Sequence, residues 1–116
     1  MTVLAAASDH LVNLLGRISK TASVVDDAAL RSLHPDGSLI RNVGRQADEL
    51  QDVTLQLAAA GRSDVAHVLG QDALNMARKG GIMQAMREEG TYFQQAWHGE
   101  FTAVVNHVED AIRQLT

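Results

Sequence analysis

The chain has no cysteine, one proline and only four aromatic residues, and each shortage removes a class of protein. Without cysteine there is no disulfide framework, no thiolate nucleophile and no thiolate metal site. The lone proline, Pro35, leaves long stretches on either side in which a helix can run without its strongest breaker. An excess of cations is missing too. Ten Lys and Arg stand against fourteen Asp and Glu, a net charge of −4, the reverse of the basic footprint that neutralises a phosphate backbone. Direct nucleic-acid binding is therefore not expected. The opening MTVLAAASDH has no basic start, and its apolar run ends at Asp9. Neither a secretory signal nor a membrane span is expected, and the expected location is cytoplasmic.

What the chain does have is aliphatic periodicity. Hydrophobic residues make up 46% of its 116 residues, a length that suits one domain burying about two thirds of its unfolded surface. With little aromatic bulk and much Ala, they suit closely packed helices. Leu4, Ala7, Leu11, Leu14, Leu15, Ile18, Ala22, Val25, Ala29 and Leu33 form one stripe at about 100° per residue. This first helix is expected to close at His34-Pro35, with a kink near Ser23, where S-x-x-D resembles a second start. A second helix from Ser38 carries Leu39, Val43, Ala47, Leu50, Val53 and Leu57, and Gly61 ends it in left-handed geometry. Ser63 or Asp64 caps a third, with Val65, Leu69, Ala73 and Met76 on its inner face. At Gly80-Gly81, two glycines costing about 1 kcal/mol each in a helix interior predict either a break or a very close helix crossing.

After that point Ile82 to Glu89 reads as a short extra helix, and Gly90 as a reset. Thr91-Tyr92-Phe93-Gln94 matches the capping box T-x-x-Q and predicts a fourth helix with Phe93, Trp97, Phe101, Val104, Val108, Ile112 and Leu115 on one face. The fold class expected is all-α: an antiparallel, four-helix-bundle-like domain over residues 1–116.

No motif announces chemistry. The histidines at 10, 34, 67, 98 and 107 form neither H-x-x-x-H nor E-x-x-H, the helical metal-ligand spacings, so no metal or cofactor is expected. No G-x-S-x-G elbow presents a nucleophile, and the adjacent acidic pairs diverge around their helices. No catalytic residues are assigned, and the chain is not expected to be an enzyme. Asp72 falls between Leu69 and Met76 on the inner side of its helix; unless it reaches solvent at an edge, it must be paired or have a raised pKa. Glu109 is placed to pair with Arg113. Lys79-Gly80 faintly resembles the end of the H-x-x-K-G pattern of histidine phosphotransfer domains, four-helix bundles of about this size. The position of their phosphoaccepting histidine is Met76 here, so the resemblance does not carry phosphoryl relay to this chain.

Apolar surface remains. Val12, Val24, Leu30, Ile40, Leu55, Val68, Ile82 and Met86 lie off the main stripes, more than a bundle of this size buries, which points to a protein partner or a second copy. All four aromatics fall within Thr91 to Phe101. Ile82, Met86, Tyr92, Phe93 and Trp97 are the candidate partner-binding residues. The expected function is a protein-protein interaction module, a regulatory binder of the anti-activator type that sequesters another protein such as a transcription regulator, and a homodimer. A secretion or assembly chaperone, or a ligand- or metal-binding bundle, are the alternatives.

Overall fold

A computed structural model describes residues 2–116 as an all-α, four-helix-bundle-like domain with a short extra helix. Helix α1 spans Val3–Arg31, α2 Gly37–Ala59, α3 Ser63–Glu89 and α4 Thr102–Leu115, with a three-residue 3-10 turn at Gln95–Trp97. The molecule measures 46 × 20 × 20 Å. At about 1.5 Å per residue, α1 alone runs its whole length, whereas α4 covers only about half of it.

Local chemistry sets the helix ends. Thr2 and Asp36 cap α1 and α2, their side chains accepting from the backbone N–H of Ala5 and Leu39 at 3.0 and 2.7 Å. Three helices end alike. A left-handed residue at Ser32, Gly61 or Gly90 turns the chain, and the next N–H reaches back to Ala28, Leu57 or Met86, satisfying carbonyls that the helix leaves free. Gly61 and Gly90 are legible as stops in the sequence. At α1 the stop is Ser32, a turn before Pro35, and at α2 the cap is Asp36 rather than Ser38. Neither Ser63 nor Asp64 caps α3, whose N-terminal position is taken by Arg62 without a side-chain cap bond.

The core stripe of α1 is Ala7, Leu11, Leu14, Ile18, Thr21, Val25 and Ala28, all buried at alternating spacings of four and three. A strict 3.5-residue repeat drifts about 20° per heptad on a straight helix, so keeping it inward bends α1 without breaking it. Ser23 begins no second helix. Thr21, the polar member of the stripe, donates its hydroxyl hydrogen to Gln46 of α2 at 2.9 Å, which resolves its burial.

At Gly80-Gly81 the close crossing occurs and the break does not. Helix α3 runs on to Glu89, so Ile82 to Glu89 is its last two turns and the separate short element lies later, at Gln95–Trp97. A Cβ on Gly80 would stand 3.3 Å from Val43 Cγ1; α2 and α3 approach so closely there that their packing outweighs the intrinsic cost of glycine. The fourth helix begins at Thr102, well beyond the capping box at Thr91 that predicts its start. Thr91 is already committed to ending α3, its N–H and hydroxyl both bonding the Met86 carbonyl. Gly99, at φ +81°, then breaks any helical run between Thr91 and α4.

Candidate partner-binding surface

Because α4 is short, residues 90–101 cross the remaining half of the bundle as a strap, and this explains where the aromatics lie. Phe93 and Phe101, each 1% exposed, plug the core from the strap's two ends. Full burial of such a ring stabilises by about 1.5–3 kcal/mol. They do not share a helical face with Trp97, which sits half-buried on the 3-10 turn in a T-shaped pair with Phe93, ring centroids 5.3 Å apart at 82°.

The strap is tied down along its length. The Phe93 N–H donates to the Leu33 carbonyl at 2.8 Å, and the Gly99 N–H to Asp26 Oδ1 at 2.7 Å. His34 donates from Nδ1 to the Thr91 carbonyl at 2.9 Å, which fixes its tautomer because a carbonyl only accepts. Lys79 pairs with Glu100 at 2.6 Å while standing 5.8 Å over the Trp97 ring. None of these pairings is legible in the sequence, since each joins residues far apart along the chain.

The five candidate residues separate into three groups. Tyr92 is 57% exposed and stacks on His34, centroids 3.9 Å apart, at the end of α1. Ile82, 45% exposed, lines a shallow cleft of about 130 Å³ with Trp97, Lys79 and Glu100. Phe93 is core, and Met86 packs half-buried against it. Truncating Met86 therefore costs packing, and of the five only Tyr92, Ile82 and the rim of Trp97 present apolar surface to solvent. Among the off-stripe residues, Val12, Val24, Leu30, Leu55 and Val68 are also exposed, whereas Ile40 packs against the core.

Asp72 does not reach solvent at an edge. It is 4% exposed and receives His107 Nδ1–H of α4 at 2.8 and 3.0 Å on its two oxygens. Burial pushes its carboxyl above the ordinary range, against the smaller opposing pull of His107. Arg113 pairs with Asp110, one turn away, rather than with Glu109. Met76 is fully buried. Among the described residues no cluster of three His, Cys, Asp or Glu side chains is placed to hold a metal ion, and no helix is long and apolar enough to cross a membrane.

No protein-family model matches the chain, and no curated protein or solved structure shows a significant match to it.

Proposed function

We propose that the protein is a binding module that regulates another protein by holding it, in the manner of an anti-activator of a transcription regulator, and that the strap side of the bundle is the recognition surface. The observation that carries this reading is Tyr92. It is a large ring more than half exposed, yet it is held against His34, whose own ring is tethered to the strap backbone. An exposed aromatic that is already ordered loses little entropy on binding, the property of interface anchors. Ile82 beside the Trp97 rim supplies a second apolar contact, with Lys79 and Glu100 as its polar border. The reading is tested by affinity capture from the native cell with parent and Tyr92→Ala baits. Loss of a specific retained protein from the variant, with unchanged melting, supports it; identical capture by both removes the surface from consideration.

A further inference from the structure

Between α3 and α4, on the side where α4 ends, lies a cleft of about 220 Å³. Its apolar lining includes Val65, Val68 and Ala111, and its polar rim includes His107, Asp64 and Asp110. Among the described residues no side chain of α1 or α2 lines it. For scale, an apolar cavity of roughly 150 Å³ accommodates benzene.

The chemistry of the rim is set from below. Asp72, buried beneath, accepts the Nδ1–H of His107, so the neutral imidazole keeps its proton on Nδ1 and its lone pair on Nε2, at the opposite edge of the ring. That edge accepts a hydrogen bond and does not offer one. The surrounding charge is also incomplete. Asp64 is held by Arg62 and Asp110 by Arg113, so with Asp72 there are three carboxylates against two guanidiniums, one negative charge in excess. The helix poles do not change this balance, because the negative pole of α4 and the positive pole of α3, which starts at Ser63, lie side by side at this end and offset one another. Charge, acceptor and apolar wall all favour one kind of guest. We propose that this cleft binds a small organic cation, a primary ammonium on a short apolar body, with the ammonium donating to His107 Nε2 and the body lying against Val65, Val68 and Ala111. This site is separate from the strap surface and independent of the function proposed for it.

The test is an NMR titration of the full chain with phenethylammonium, and with phenylacetate and 2-phenylethanol for comparison. Phenethylammonium should move the amides of Val65, Val68, His107 and Ala111, and phenylacetate should not. Asp72→Asn serves as a control: its amide oxygen still accepts from Nδ1–H, but the charge is gone. It should weaken phenethylammonium several-fold and leave 2-phenylethanol unchanged. Val68→Trp, at a 41% exposed position, should fill the cleft and abolish binding, with an unchanged melting temperature as the check on folding. A lysine side chain carries the same chemistry, so N-acetyl-lysine amide is titrated in parallel: tighter binding of this probe assigns the cleft to a protein lysine, and weaker binding to a free amine. Unmoved amides with phenethylammonium, equal binding of phenylacetate, or parent-like binding by Val68→Trp would each overturn the proposal.

Discussion

Gly80 of α3 lies against Val43 of α2 so closely that a Cβ at position 80 would meet Val43 Cγ1 at 3.3 Å, while one at the adjacent Gly81 would meet nothing within 4 Å. Two neighbouring glycines in one helix thus have different reasons to exist. Gly81→Ala should stabilise by about 0.5–1 kcal/mol, the helix-propensity gain. At Gly80 the same gain is opposed by crowding against a fully buried valine, so Gly80→Ala should be nearer neutral, and Gly80→Leu should cost about 1–3 kcal/mol or more by overpacking. Chemical denaturation of the three variants checks the order; equal behaviour of the two alanine variants would show that α2 and α3 do not cross at Gly80.

Ser32 holds φ +50° at the end of α1, where α2 and α3 use glycine for the same turn. A side chain in left-handed geometry costs roughly 1 kcal/mol. Ser32→Gly should therefore raise the melting temperature, by a few degrees for a domain of this size. A fall would mean that the serine hydroxyl contributes more than the backbone loses.

The strap is expected to depend on Asp26. Its carboxylate receives the Gly99 N–H at the point where the backbone is already left-handed. Asp26→Ala should destabilise by about 1.5–3 kcal/mol, the range for a hydrogen bond to a charged group, and Asp26→Asn by less. Hydrogen exchange at Gly99 gives the local readout. Unchanged protection in Asp26→Ala would mean that the strap is held by Phe93 and Phe101 alone.

The Asp72 carboxyl titrates above its ordinary range in the folded protein, so the folded state binds that proton more tightly than the unfolded chain does. The stability it contributes is complete below the unfolded carboxyl pKa and is lost as pH rises through the folded value. Asp72→Asn removes this loss. Melting temperatures of parent and variant, followed from about pH 3 to pH 6, should diverge in favour of the variant as pH rises. Removing the other partner acts oppositely: His107→Ala leaves a buried carboxylate unpaired and should cost about 1–3 kcal/mol at neutral pH. A constant difference across the pH range would show that Asp72 is not desolvated.

The exposed Val12, Val24, Leu30 and Leu55 motivate a homodimer. Sedimentation at micromolar concentration should give a mass near twice that of the chain, and a single monomeric species over about a hundredfold dilution would exclude association in that range. Tyr92→Ala should reduce partner capture about tenfold, equivalent to about 1.4 kcal/mol, without altering this mass if the two surfaces are distinct.

The helical class, the inward faces of α1, α2 and α3 and two of the three left-handed stops were determined by the sequence by itself. Stripes of period about 3.6, and glycine's freedom at positive φ, are local properties that any sufficiently long window carries. Of the proposed recognition surface, Ile82 and Tyr92 are legible as residues off the stripes, because that too is periodicity. Tertiary structure decided the rest. Thr91 to Gln94 has the pattern of a helix start, yet Thr91 is taken by the end of α3, and Phe93 finds its backbone partner at Leu33, just past the end of the first helix. A local capping signal worth about 1 kcal/mol competes there with burial of Phe93 and Phe101, and burial wins. Asp72 and His107 are 35 residues apart, so only the packing of α4 on α3 reveals that each satisfies the other. Gly80-Gly81 is locally undecided between break and crossing, because the deciding atom, Val43 Cγ1, belongs to another helix.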